Sequence, residues 1–255
     1  MSEELMKAVI VTGGTRGIGR AIVDGIAARL LAKDPDIDGT RLVVTYKSQS
    51  SLADDLIDGL RAQGVPAEAV PLDLASSESI ETFVAHVRHS FGAVRALINN
   101  AGMTLDGSFL SMPDDAVSRL LGSNLGGTIQ LTEQLLPLLK ESNPATVVFM
   151  ASAAGIYGKA GQVPYATTKG GLIGYTQLLA RRVRKQNIFV NAVAPGFIAT
   201  EMVTGLAPKM YEPTLNSTSL GCMGVPADVA HVVCGLFRPG YVQAATLKVD
   251  GGFLR

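Results

Sequence analysis

Cysteine is scarce in this chain. Its two thiols, Cys222 and Cys234, stand twelve residues apart with no CxxC partner. That spacing gives a disulfide framework or a zinc site no support and reads as two buried free thiols. Histidine is equally sparse, with three residues in all. His86 and His89 share a helical face but have no third ligand nearby, so they are expected at the surface and not on a metal. Neither sign of charge is in excess: 22 basic and 22 acidic residues cancel, which removes the global electrostatic case for a nucleic-acid partner. No apolar run reaches the ~18 residues needed to span a bilayer. A first strand beginning by about residue 7 leaves no room for a signal peptide. A soluble, cytoplasmic protein is the expectation.

What is present is a well-buried globular composition, 47% hydrophobic and 17% charged over 255 residues. Short apolar or β-branched runs recur at 7–12, 41–46, 68–72, 96–99, 146–151, 189–193 and 246–249. Between them lie stretches of helical period such as AIVDGIAARLL, SIETFVAHVRHSF and AVSRLLGSNLGGTIQLTEQLLPLLK. Strands apolar on both faces, each followed by a helix, imply a parallel sheet covered on both sides. The expected fold is α/β: a doubly wound, seven-stranded Rossmann-type sheet in a single domain spanning residues 1–255. The stretch from Ile198 to Gly224 has no clear period. It follows the sixth strand at the carboxyl edge of the sheet, so it reads as a substrate lid, with a pair of short surface helices as the alternative.

The segment TGGTRGIG, residues 12–19, joins the first strand to the first helix. In that context Gly13 permits a tight turn, Gly17 lets backbone approach a phosphate, and Gly19 allows close helix packing. Thr15 and Ile18 stand between these glycines and belong to the same cofactor-binding set. The helix N-terminus adds free N–H donors and partial positive charge for a pyrophosphate. Asp34, Asp36 and Asp38 fall at the usual distance for a ribose-binding carboxylate but precede the second strand, on the wrong side of the crevice. Past that strand comes YKSQSS, with Tyr46, Lys47 and Ser48 and no acid. Lys47 and Ser48, with Arg16 across from them, suit a 2′-phosphate, so NADP(H) is expected over NAD(H); simple surface solvation is the alternative for Lys47. Asp73, with Leu74 beside it, follows the third strand and reads either as a partner of the adenine amino group or as a helix-capping acid. In NNAG, Asn100 pins neighbouring backbone while Ala101 and Gly102 leave space for the adenosine side of the cofactor.

VPYATTKGG, residues 163–171, carries the chemistry. Tyr165 and Lys169 are four apart and share a helical face. The lysine cation is expected to lower the tyrosine pKa toward the working range. Ser152, thirteen residues earlier, ends the fifth strand in position to hold a substrate oxygen against the tyrosine hydroxyl. Asn124, inside the long fourth helical stretch, is placed to order a water that links the lysine to solvent.

With these residues together, the chain resembles the short-chain dehydrogenase/reductase family, most closely its 3-oxoacyl-[acyl-carrier-protein] reductases. The resemblance covers essentially the whole chain and rests on TGGTRGIG, NNAG, Asn124, Ser152, the Tyr165–Lys169 pair and NAVAPGFIATEM (191–202). It implies NADPH-dependent reduction of a 3-ketoacyl thioester by an Asn124-Ser152-Tyr165-Lys169 tetrad, with Tyr165 and Lys169 also touching the cofactor. It implies that Pro195 and Gly196 line the nicotinamide pocket and that Ile198 and Thr200 contact the carboxamide and phosphates. It further implies a homotetramer pairing the helix that carries Gly170, Gly171 and Gly174. An acidic acyl carrier protein would meet basic residues near the site mouth, for which Arg181, Arg182, Arg184 and Lys185 are candidates; the helix macrodipole explains those cations equally well. The connection LLAKDPDIDGT before the second strand is lengthened, and the stretches GCMGVP (221–226) and LFRPGYVQAAT before the last strand are reduced; these departures from the family pattern bear on the lid and leave the tetrad untouched. Another small ketone or alcohol as substrate, or a catalytically silent nucleotide-binding scaffold, are the alternatives.

Overall fold

The computed structural model describes residues 6–200, 216–238 and 240–253. Strand β1 (Lys7–Val11) is followed by helix α1 (Gly17–Leu31). The alternation continues through β2 (Thr40–Tyr46), α2 (Ser50–Ala62), β3 (Ala67–Pro71), α3 (Ser77–Ser90) and β4 (Ala93–Asn99). Helices α4 (Asp114–Leu121) and α5 (Thr128–Ser142) lead to β5 (Ala145–Met150). The short α6 (Ala153–Tyr157) and long α7 (Val163–Arg182) lead to β6 (Ile188–Pro195), and α8 (Pro226–Gly235) precedes β7 (Thr246–Val249). All seven strands are parallel, in the order β3-β2-β1-β4-β5-β6-β7. The doubly wound sheet read from the sequence is the one observed.

Side-chain alternation along the strands feeds two cores. Ala8 and Ile10 of β1 join Phe83 of α3, Leu135 of α5 and Leu179 of α7 on one face. Val9 and Val11 join Ile26 of α1, Leu56 of α2 and Val229 of α8 on the other. Burying each large apolar side chain is worth roughly 1.5–3 kcal/mol, so both helix layers are held against the sheet along its length. Succession runs one way from β1 to β3 and the other way from β4 to β7. The loops after β1 and β4 therefore diverge at the carboxyl edge, and the crevice between them is where a ligand fits.

Local chemistry departs from the sequence reading in three places. The fourth helical stretch is not one helix: Gly122–Gly127 widens into a π-helical turn between α4 and α5. Three glycines within six residues remove the side chains that would favour regular α geometry, and π turns of this kind recur at functional sites. Cys222 is exposed and Cys234 only half-buried, so the thiols are free but not core residues. His86 is half-buried and its Nε2 lies 3.0 Å from Glu68 Oε1, while His89 is exposed. Of the stretch read as a lid, residues 201–215 lie outside the described residues. Its flanks come together, with a parallel bridge between Ile198 and Gly224. Among the described residues, no helix is long and apolar enough to cross a membrane.

Gly127, at the junction of the π turn and α5, packs against the backbone after β3. A Cβ at this position would overlap the Leu74 carbonyl oxygen, a backbone atom with little freedom to retreat. Gly127→Ala is expected to cost about 1–3 kcal/mol, the scale of an overpacked core, measured as a lower urea midpoint. An unchanged midpoint would mean that α5 slides away from Leu74 without penalty.

Candidate active site

One cavity of about 930 Å³ occupies the crevice at the carboxyl edge. Every cofactor-binding residue expected from the sequence lines it: Gly13, Thr15, Arg16, Gly17, Ile18 and Gly19 from the first loop, and Tyr46, Lys47 and Ser48 after β2. Asp73 and Leu74 follow β3, Asn100, Ala101 and Gly102 follow β4, and Pro195, Gly196, Ile198 and Thr200 follow β6. Ser152, Tyr165 and Lys169 line the same cavity, whereas Asn124 stands behind its wall.

The first loop is shaped by contacts that glycine alone allows. Gly13 adopts φ +63°, a left-handed conformation that L side chains resist. A Cβ on Gly19 would overlap the Gly13 carbonyl oxygen and come within 2.5 Å of Asn100 Nδ2. Asn100 fastens this turn by donating from Nδ2 to Thr12 O at 2.9 Å and to Gly13 O at 3.0 Å. Thr12 Oγ1 accepts in return from Asn100 N and Ala101 N, both at 2.9 Å. Helix α1 then begins with no side-chain cap and no acid in its first turn. Its N-terminal N–H groups and dipole are left for an anion in the cavity.

At the β2 end, Lys47 Nζ lies 2.8 Å from Asp73 Oδ2. Asp73 Oδ1 also accepts from Ala75 N at 2.9 Å in the turn before α3, whose cap is Ser76. Partial burial alone would raise the Asp73 carboxyl, but the Lys47 and Ala75 hydrogen bonds and the Lys47 charge outweigh it and hold the pKa below the usual value. Lys47 is thus already paired. Arg16 is exposed and makes no ion pair among the described residues.

The remaining groups converge at the ends of β4 and β5. Ser152 caps α6, its Oγ accepting from Ala154 N at 3.2 Å. Tyr165 and Lys169 occupy the first turns of α7, with Nζ 5.7 Å from the tyrosine ring centroid. That ammonium is buried and donates to Met150 O at 2.7 Å. A Cβ on Gly102 would lie 3.4 Å from Lys169 Nζ and 3.5 Å from Asn124 Oδ1, so the end of β4, the π turn and α7 meet around one point.

One electrostatic expectation changes here. Burial pushes the Tyr165 phenol above its ordinary value; a hydrogen bond with Ser152 opposes the rise and the Asp106 charge adds to it. Burial of the phenol outweighs the lowering expected from Lys169, whose own pKa burial depresses to about 8. The Asn124 side chain is bonded to the Met103 backbone. Its Oδ1 accepts from Met103 N at 2.9 Å and its Nδ2 donates to Met103 O at 2.8 Å.

The basic cluster lies elsewhere. Arg181, Arg182, Arg184 and Lys185 follow Tyr165 by sixteen residues or more, roughly 24 Å along α7 at the helical rise. They are not at the mouth of their own chain's cavity, and Arg182 forks onto Glu133 of α5 at 2.5 and 3.0 Å. Of the α7 glycines, Gly170 faces Gly155 and Gly171 faces Leu125, both inside the chain; only Gly174 meets open space. The sequence reading missed Met103, Lys159, Gln162, Phe197 and Phe253, which also line the cavity. Their signal was position: each follows a strand or precedes α7 at the carboxyl edge. Gln162 Nε2 donates to Asp106 Oδ1 at 2.9 Å, tying the loop after β4 to the start of α7.

The cavity fits a nicotinamide dinucleotide: a glycine-shaped turn closed by Asn100, an uncapped helix N-terminus, and a buried polar group at the far end. Among the described residues there is no cluster of His, Cys, Asp or Glu able to hold a metal ion. The short chain dehydrogenase family model matches residues 7–210. Three bacterial proteins named 3-oxoacyl-[acyl-carrier-protein] reductase are similar to the chain over nearly their full length. The Pseudomonas aeruginosa protein is 35% identical over 248 residues, 96% of each chain. The Salmonella typhimurium protein is 34% identical over 248 residues, again 96% of each. The Staphylococcus aureus protein is 30% identical over 251 residues, 98% of each.

Lys169 gives a stability test of its burial. With a folded pKa of about 8 against an ordinary 10.5, the unfolded chain binds the extra proton between those values. Ligand-free stability is therefore expected to rise as pH increases from about 8 to 10.5. Lys169→Met should lack this component. Parallel urea-midpoint curves for the two proteins over that window would refute the burial argument.

Proposed function

The chain belongs to the short chain dehydrogenase family and is an oxidoreductase of alcohol and carbonyl groups; from that premise we propose that it reduces 3-ketoacyl thioesters to 3-hydroxyacyl thioesters with NADPH. The observation that carries the proposal is the convergence of Ser152, Tyr165 and Lys169 at one end of a cavity whose other end is the glycine turn. The names of its relatives supply the thioester, borne by a carrier protein or by coenzyme A. Another small ketone is the second reading, and the cavity alone accommodates it. A catalytically silent scaffold is disfavoured, because burying Lys169 beside Tyr165 is costly and serves no packing purpose.

A bound nicotinamide supplies the hydride. Ser152 and Tyr165 hold the carbonyl oxygen, positioning it and stabilising the negative charge that grows there. Tyr165 donates its phenolic proton to that oxygen; a phenol kept protonated by burial suits this direction. Lys169, whose pKa burial depresses to about 8, returns a proton to the phenolate. Asn124 fixes Met103 and the end of β4 beside the lysine, so it acts by position.

The preference for NADPH rests on Arg16 and Ser48 at the β2 end and on the absence of an acid in Tyr46–Ser51. Since Asp73 already pairs with Lys47, Arg16 is the cation left to meet a 2′-phosphate, and Lys47 mainly offsets the Asp73 charge. Asp73 lines the same cavity and keeps its proposed role as partner of the adenine amino group.

Two measurements test this reading. Tyr165→Phe is expected to abolish NADPH-dependent reduction of acetoacetyl-coenzyme A while leaving NADPH binding by fluorescence titration intact; near-full turnover would sink the assignment. Arg16→Ala is expected to raise the KM for NADPH about tenfold more than that for NADH, the scale of one lost charge-assisted contact. Equal rises would show that Arg16 does not meet the 2′-phosphate.

A further inference from the structure

A second pair of lysines stands on the β5–β7 side of the cavity, one of them among its lining residues. Lys159 lines it, with Nζ 5.4 Å from the centroid of the Phe197 ring. Phe197 lies 5.8 Å from Phe253, another lining residue, and Phe253 lies 5.4 Å from Tyr157. Lys248 completes the row, donating to the Tyr157 hydroxyl at 3.0 Å with Nζ 5.7 Å from that ring centroid. Five side chains thus form a continuous aromatic wall with an ammonium at each end.

Topology says which ligand this wall does not serve. Tyr157 ends the helix after β5, Phe197 follows β6 and Phe253 follows β7, while Arg16 and Lys47 follow β1 and β2. In the order β3-β2-β1-β4-β5-β6-β7 these groups stand on opposite sides of the switch point. The phosphates of a dinucleotide are accounted for by the first loop and the β2 end. Ring faces position Lys159 and Lys248 without neutralising them, and neither forms an ion pair among the described residues. The hydrogen bond to Tyr157 also raises the Lys248 pKa, which keeps it charged. A wall of this kind suits a ligand with an extended, weakly polar body and an anionic end.

Resting on the thioester reading above, we propose that this lysine-ended aromatic wall grips the phosphopantetheine arm of the substrate. The pantetheine chain lies along Phe197 and Phe253, its phosphate meets Lys248 at the end of the wall outside the cavity lining, and Lys159 adds its charge at the other end. In a 3-ketoacyl thioester the acid is masked by sulfur, so the anion nearest the acyl group is the phosphate at the end of that arm. Carrier-bound and coenzyme A thioesters share it. The basic cluster at the end of α7, carried away from the mouth, cannot supply this contact within its own chain.

The test uses one 3-ketoacyl group on three carriers: N-acetylcysteamine, which has no phosphate, coenzyme A, and an acyl carrier protein. For Lys159→Gln/Lys248→Gln, the kcat/KM ratios of the coenzyme A and carrier-protein thioesters to the N-acetylcysteamine thioester are expected to fall about fivefold to tenfold, the scale of two exposed charge contacts. Raised salt should shrink both ratios in the parent enzyme and less so in the variant. Ratios that do not move would overturn the arm site, as would a loss confined to coenzyme A, which would assign the lysines to its nucleotide phosphates. A parent enzyme that turns over none of the three thioesters would overturn the thioester reading itself, and the arm site with it. Phe253→Ala gives an independent arm: if the ratios stay at the parent value there, the wall does not hold the pantetheine chain.

Discussion

The clasp between Asn100 and the loop after β1 is the contact on which the rest of the site depends. Parallel strands β1 and β4 are paired up to Val11 and Ile98, with Thr12 N donating to Ile98 O at 3.0 Å, but beyond that point their chains leave in opposite directions. Asn100 does this with two hydrogen bonds to Thr12 O and Gly13 O, and Thr12 answers with its hydroxyl. The same clasp leaves no room for a side chain on Gly19. Helix α1 therefore begins at one defined place, with its free N–H groups aimed along the crevice. A cavity that must accept phosphate at one end and place a carbonyl at the other needs that fixed origin.

From the clasp the cavity extends along the sheet edge, and its electrostatics change with distance from solvent. At the exposed β2 end the groups are charged and paired, as Lys47 with Asp73. At the buried end burial dominates: it raises the Tyr165 phenol and depresses the Lys169 ammonium to about 8. The two shifts draw the tyrosine and the lysine apart from the simple picture of a cation beside a phenolate. They leave a neutral phenol next to an ammonium that is the stronger acid, which is an arrangement suited to giving a proton to a carbonyl oxygen and recovering it. Glycine recurs wherever these parts touch: Gly102 against Lys169 and Asn124, Gly155 against α7, and Gly127 against Leu74. Close backbone contact is what brings α7, the π turn and the strand ends to a single point.

Much of this was legible in the linear chain because local chemistry and fold agree. Apolar runs in Val9–Val11 or Leu97–Ile98 require burial on both faces, and helical stretches between them leave only a parallel, covered sheet. TGGTRGIG announces its role because a strand and a helix flank it. Tyr165 and Lys169 announce theirs because four residues make one helical turn. The π turn was not legible, since Gly122–Gly127 reads as a weak patch of helix unless the Leu74 carbonyl pressing on Gly127 is known. Nor was the partner of Asn124: an amide in sequence does not reveal that Met103 will take both its atoms.

The sequence alone determined the order of elements and the sheet type, and it marked the proposed phosphate-binding turn and catalytic side chains, because each depends on periods and neighbours a few residues apart. Tertiary structure alone decided how those groups are charged and what surrounds them. Burial of Tyr165 overrides the lowering expected from Lys169, Asp73 captures Lys47, and the length of α7 carries the Arg181–Lys185 cluster away from the mouth it was expected to guard. The aromatic wall from Lys159 to Lys248 belongs to this second class too. Its members come from the ends of three different strands, and only the sheet order makes them neighbours. Desolvation and contact between distant segments are properties of packing, and no short window of sequence contains them.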